Sequence, residues 1–228
     1  MFHDAVVRAI DPLNRWNLSV EKPITLRHNY RSKGHICRTG NMILLCRFVL
    51  LGIKDIDPQE PWKDDGVEPV SFVLGNNLSE KEFLDYARDT MIIVPCEEGE
   101  EFEFVMRDPL LSQMFEGLAR NEPPKNVLSA AATKGCQFDR VIVYRFGDFD
   151  GYPPINWDQP ADEQPLQVDY FMNKLYVAVT RAITRLDIVD ISNGWGQFWS
   201  QSCDVDAWLQ RIENPERCRY WRERVLAP

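Results

Sequence analysis

Apolar residues recur at 36, 42, 43, 45, 46, 49 and 50, close to the 3.6-residue period, and predict a helix over 36–51. A second helical stripe runs over 168–182, where Leu175, Val179 and Ala182 share a face with Ala178 beside them. Between these lies a short unbroken apolar run, Met91-Ile-Ile-Val94, of the kind buried on both faces of a parallel sheet, and Arg140-Val-Ile-Val-Tyr144 reads as a further strand. Further strands are expected at 24–26, 70–74, 127–128 and 186–191. Ser79 followed by Glu82 has capping-box spacing and predicts a helix over 79–87; a weaker helix is expected over 110–118. Residues 1–23 carry a weak helical pattern (Ala5, Val6, Ile10, Leu13) ended by prolines. The stretches 57–66 and 147–165, the latter with Pro153, Pro154, Pro160 and Pro165, read as loops. Strands alternating with helices over this length predict an α/β layered domain with a mostly parallel central sheet flanked by helices.

The 228 residues suffice for one large domain with a real core. No apolar run approaches the ~20 residues that cross a bilayer; the segment 42–53 is short and interrupted by Arg47, and His3, Asp4 and Arg8 break up any signal-like start. No membrane partner is expected. Six cysteines without a CxxC and three histidines without paired spacing predict no metal site and reduced, mostly buried thiols, as in a cytoplasmic protein. A net charge of −9 argues against gripping nucleic acid over the whole surface but leaves room for a local strip of contacts. The acidic stretches 55–65, 97–103 and 148–163 read as solvated loops. Trp195, Trp199, Trp208 and Trp221 in the last 35 residues could stack on bases, but packing on the sheet or on another domain is the preferred reading.

Three segments carry candidate chemistry. In Leu26-Arg-His-Asn-Tyr-Arg-Ser32, a strand runs into a polar turn that presents a ring, Tyr30, and a guanidinium, Arg31. A ring stacks on a base, and a guanidinium holds phosphate bidentately; at the carboxyl end of a strand, where ligands of open α/β sheets sit, both would face a ligand. An ion pair between Arg31 and a carboxylate is the plain alternative. The second segment runs from Leu128 to Val143. It ends a strand in small residues and a Lys134-Gly135 turn, with Ser129, Thr133 and Lys134 as phosphate donors, or forms a tight hairpin-like turn. In the third, Arg181 closes an otherwise apolar helical segment, a position that the helix dipole alone can favour.

Together, these segments resemble motifs IV, V and VI of the UvrD/Rep/PcrA-like superfamily 1 DNA helicases: Asn29-Tyr-Arg-Ser32, Lys134-Gly-Cys-Gln-Phe-Asp139, and Leu175-Tyr-Val-Ala-Val-Thr-Arg-Ala182. The third match is the most specific and the second is degenerate. The resemblance covers about residues 24–191. It implies the second RecA-like (P-loop NTPase-like) lobe of an ATP-dependent helicase, preceded by a lead-in at 1–23 and followed by a tryptophan-rich extension at 192–228. It further implies that Tyr30 stacks near the adenine of ATP, that Arg31 reaches the γ-phosphate, and that Arg181 is an arginine finger. Gln137 would lie near the ribose, with Ser129, Thr133 and Lys134 on single-stranded DNA. A histidine common in the family is Ala131 here, and a glutamate is Gln137, which puts the efficiency of turnover in question.

The sequence has no G-x-x-x-x-G-K-[ST] phosphate loop and no acidic magnesium motif. ATP and Mg2+ would therefore be held mainly by an N-terminal RecA-like lobe, in the same longer chain or in a partner subunit, and this chain is expected to be inactive alone. Its first residues fall near the start of the family's second lobe, which suggests truncation there. The 96 residues between Ser32 and Ser129 leave no room for a large accessory domain, so weak, salt-sensitive binding to single-stranded DNA is expected. A competing expectation is a non-catalytic, degenerate helicase lobe that serves as an interaction or regulatory module.

Overall fold

The computed structural model describes residues 28–62, 70–73, 78–115, 124–147, 163–164, 166–191 and 204–226. The expectations for 1–26, for most of the loop at 147–165, and for Trp195 and Trp199 lie outside these residues. In chain order the elements are β1 (His28–Asn29), α1 (Gly34–Leu50), β2 (Glu60–Pro61), β3 (Val70–Val73), α2 (Glu80–Ala87) and β4 (Met91–Val94). They continue with α3 (Glu101–Arg107), α4 (Leu111–Met114), β5 (Val127–Ser129), β6 (Phe138–Tyr144), α5 (Leu166–Val179), β7 (Ala182–Asp190), α6 (Val205–Gln210) and α7 (Pro215–Val225).

Five strands form one sheet in the order β3-β7-β6-β4-β5, and every pairing is parallel. The expected layered α/β domain with a parallel central sheet is thus observed. Its apolar strands work as the side-chain period of two requires. Val141 and Val143 of β6 point to one face with Ile93, Leu186 and Ile188, against α1, α5, α6 and α7. Ile142 and Tyr144 point to the other with Ile92 and Val94, against Phe83 of α2, Val105 of α3 and Leu111 of α4. β1 and β2 form a separate parallel pair at the rim.

The helices start and stop for local reasons. Ser79 caps α2 with the reciprocal capping box expected, its hydroxyl accepting from Glu82 N–H and the Glu82 carboxylate accepting from Ser79 N–H. Pro215 at the first turn and the Asn214 side chain, which accepts from Glu216 and Arg217 N–H, start α7. α1 packs closely on α5 at Gly40, where a Cβ would come within 3.3 Å of the Thr180 methyl. A 2.7 Å ion pair from Arg47 to Asp169 ties the same two helices.

Four expectations need correction. The 168–182 helix ends at Val179, because Ala182 is already paired with Phe138 as the first residue of β7. Within 110–118 the helix is limited to Leu111–Met114 among the described residues. The acidic stretch 97–103 is not simply a solvated loop. Glu101 opens α3 and is 5% exposed, its carboxylate accepting from Ser129 N–H at 3.1 Å and Gly99 N–H at 2.8 Å. The segment around Lys134-Gly135 is not a hairpin, since β5 and β6 lie on opposite sides of β4 and the turn crosses over it. As for the tryptophans, Trp208 and Trp221 are buried in the core, and Trp221 packs on Phe48 with ring centroids 5.5 Å apart.

Candidate functional site

Asn29, at the end of β1, organises the first segment. Its side-chain oxygen accepts from Arg31 N–H and Ser32 N–H, both at 3.0 Å, a turn that asparagine makes readily. Ser32 then donates its hydroxyl to Ala182 C=O at 2.9 Å, and Lys33 N–H donates to Ile183 C=O at 2.9 Å. The turn is thereby stitched to the first residues of β7. Tyr30 and Arg31 follow β1, a short strand within the segment expected to be a polar turn; the strand expected at 24–26 lies outside the described residues. Relative to the central sheet, however, they sit at the amino end of β7, not at the carboxyl edge.

This docking brings Arg31 to Arg181. The Arg31 Nη2 donates to Thr180 C=O at 2.9 Å, one residue before Arg181. Arg181 lies in the two-residue turn between α5 and β7 and is half-buried. Its Nε donates to Val177 C=O at 3.1 Å, Nη1 to Cys136 C=O at 3.2 Å, and Nη2 to the Thr180 hydroxyl at 3.3 Å; a longer contact joins Nη1 to Thr133 C=O. All of these acceptors are neutral. Burial, and then the positive charge of Arg31, push the Arg181 guanidinium below its ordinary pKa. Among the described residues, neither arginine has a carboxylate within ion-pair distance. Two adjacent cations with only neutral acceptors attract an anion, and phosphate suits their planar forks. The alternative of an Arg31 ion pair finds no carboxylate among the described residues.

The crossover between β5 and β6 places its polar residues unevenly. Ser129 and Thr133 are fully buried. The Ser129 hydroxyl accepts from Ala132 N–H, and the Thr133 hydroxyl donates to Ala130 C=O at 2.8 Å. Both build the turn and neither offers a surface donor, which corrects the expectation that they face phosphates. Lys134, Cys136 and Gln137 are exposed. Gly135 has φ +82°, a left-handed conformation that only glycine adopts at little cost, and it lets the chain reverse between Lys134 and Cys136. Beside the turn, a cavity of about 60 Å³ is lined by Ala130, Ala131 and Lys134 and by Tyr170, Asn173, Lys174 and Val177 of α5.

Lys174 escaped the sequence reading. It is 5% exposed and donates to Glu97 at 2.6 Å and to the carbonyls of Pro95 and Cys96. This bond, with a second from the Tyr170 hydroxyl, holds the Glu97 carboxyl below its usual range despite some desolvation. No pattern in the sequence flags such a lysine, because its partners lie 77–79 residues away. Among the described residues, no group of three or more His, Cys, Asp or Glu could hold a metal ion, and no helix is long and apolar enough to cross a membrane.

No protein-family model matches the chain, and no curated protein matches it. Among solved structures, the chain is similar to the C-terminal domain of a possible DNA helicase from Lactobacillus plantarum WCFS1, at 23% sequence identity and a TM-score of 0.40. The likeness covers 72% of this chain and 88% of that one.

Proposed function

We propose that this chain is the phosphate-facing second lobe of a UvrD-like superfamily 1 helicase or translocase, a RecA-like half-site that another lobe completes. The observation that carries the reading is the pairing of Arg31 and Arg181 through Thr180, with only neutral acceptors around both guanidiniums among the described residues. These are the positions of the motif IV arginine and the motif VI arginine in the resemblance. The residues present fit a nucleoside triphosphate: two cations for the phosphates and an exposed ring, Tyr30, for the base. Arg181 is suited to the role of arginine finger, because phosphoryl transfer is accelerated chiefly by positioned charge, worth ~10³–10⁵ in rate for such a residue. Among the described residues no acidic ligand set for Mg2+ lies beside the arginines, and in this reading the ion belongs with the phosphate loop of the partner lobe.

Arg181 also touches Cys136 C=O in the crossover that carries Lys134. An anion that draws the guanidinium away from that carbonyl would loosen the turn. This is a physical route from nucleotide to a DNA-contacting segment, with Lys134 the exposed cation suited to a phosphate of single-stranded DNA. Intact Arg31 and Arg181 favour this reading over a bare interaction module, which has no use for two paired cations.

The test is titration of the chain with inorganic tripolyphosphate by calorimetry. Wild type is expected to bind it, and Arg181→Ala to bind at least about tenfold more weakly, since a hydrogen bond to a charged group contributes ~1.5–3 kcal/mol. Equal binding by the two proteins would sink the reading.

A further inference from the structure

Trp62 is 57% exposed and Tyr30 is 64% exposed, yet their ring centroids lie 4.8 Å apart. Rings that large, left side by side in water, mark a surface that something covers. His28 joins them, 6.1 Å from Trp62 and 5.9 Å from Tyr30. Trp62 stands 32 residues after Tyr30, in a stretch that read only as an acidic loop and outside the three segments of candidate chemistry.

The platform is preassembled. Trp62 N–H donates to Asn29 C=O at 3.0 Å, continuing the pairing of β2 with β1. Behind it, the buried Asn41 of α1 accepts from Gln59 N–H at 2.8 Å and donates to Gln59 C=O at 2.7 Å. Arg224 of α7 forms an ion pair with Glu60, and the Asn29 amide donates to Gln59 at 2.9 Å. A surface held in its binding geometry loses little freedom when a ligand arrives.

Chemistry narrows the occupant. The two rings touch, so no base fits between them, and with their planes 41° apart a planar ligand stacks on the outer face of one ring and meets the other at an angle. Arg31 follows Tyr30 directly and stands beside Arg181. Rings next to two cations that have no carboxylate partner among the described residues match a ligand with a planar base at one end and phosphates at the other.

Resting on the half-site reading above, we infer that Trp62 is a second base-contacting residue. With Tyr30 it forms the platform for the base of a nucleoside triphosphate whose phosphates meet Arg31 and Arg181. Base specificity then depends on a residue of the β2 rim as well as on Tyr30.

The experiment measures binding of ATP and of inorganic tripolyphosphate to the full chain by calorimetry and ligand-observed NMR, with thermal unfolding as the fold check. Trp62→Ala is expected to weaken ATP at least about fivefold and to leave tripolyphosphate unchanged, since base–aromatic stacking is sequence-tolerant and lost on truncation to alanine. Trp62→Phe keeps a stacking face and should retain most of the ATP affinity. If Trp62→Ala binds ATP like wild type while Arg31→Ala and Arg181→Ala lose both ligands, the inference fails and the phosphate half-site stands. If the arginine variants bind both ligands like wild type, the half-site reading fails and takes this inference with it. Absence of ATP binding at millimolar concentration also overturns it. So does a Trp62→Ala defect confined to a single-stranded oligonucleotide, which would assign the platform to nucleic acid.

Discussion

Arg181 is held by its own helix end and by the crossover turn, and among the described residues its charge meets only carbonyl and hydroxyl oxygens. The same turn exposes Cys136, whose carbonyl receives the Arg181 guanidinium. Burial pushes the Cys37 thiol up to about 11 and the Cys96 thiol up to about 12, so both stay protonated and unreactive. Of the cysteines in the described residues, Cys136 is therefore expected to alkylate first. Peptide mapping after brief maleimide treatment checks this; labelling of Cys37 or Cys96 ahead of Cys136 would mean that the burial pattern is wrong. Tripolyphosphate should change the Cys136 rate if the anion takes Arg181 from its carbonyl.

At the scale of elements, Glu101 joins the start of α3 to the end of β5. Burial raises its pKa, but the bonds from Ser129 and Gly99 outweigh burial and hold the carboxyl below its ordinary value. A depressed carboxylate stabilises the fold above its unfolded-state pKa, and this contribution is lost as pH falls through the folded value. Glu101→Gln is expected to cost about 1–3 kcal/mol near neutral pH, because a buried charge-assisted acceptor is replaced by a neutral one. In urea unfolding, the gap between the two proteins should narrow in acid; a gap that is constant with pH would show that the charge is not what matters. Glu101 also marks the limit of what the sequence made legible. Ser79 and Glu82 announced their cap because both partners lie within one turn. The runs at 91–94 and 141–144 announced buried strands because their side chains are apolar or aromatic. Glu101, whose partner Ser129 lies 28 residues away, read as one more acidic residue in a solvated run. Arg31 and Arg181 were recognisable as chemistry from their motifs, but their meeting, 150 residues apart, depended on the docking of Ser32 and Lys33 on β7. Trp62 gave no signal, since β2 is two residues long and is placed by Asn41 and Arg224, not by any local period.

At the scale of the molecule, α5 and the β5–β6 crossover run between two edges of the sheet. Lys174 and the cavity lie near the carboxyl edge, while Arg181 and Arg31 lie at the amino edge. The C-terminal helices hold the rest in place. α7 buries Trp221 completely against Phe48, and through Arg224 it fixes the rim that carries Trp62. Trp221→Ala is expected to destabilise the chain by about 3–5 kcal/mol, as large-to-small changes at buried aromatics do. Trp221→Phe should cost clearly less, because the indole N–H has no hydrogen-bond partner among the described residues to lose. Chemical denaturation of both variants decides it; a Trp221→Ala protein as stable as wild type would mean that α7 does not belong to the core.

In the half-site proposed above, this chain supplies arginines to a phosphate site that it does not complete. The most direct measurement is ATP hydrolysis by the purified chain with Mg2+ and single-stranded DNA, beside its Arg181→Ala variant. Neither protein is expected to show turnover above background. Turnover by wild type that Arg181→Ala abolishes would contradict the half-site, because the chain would then hold the whole site.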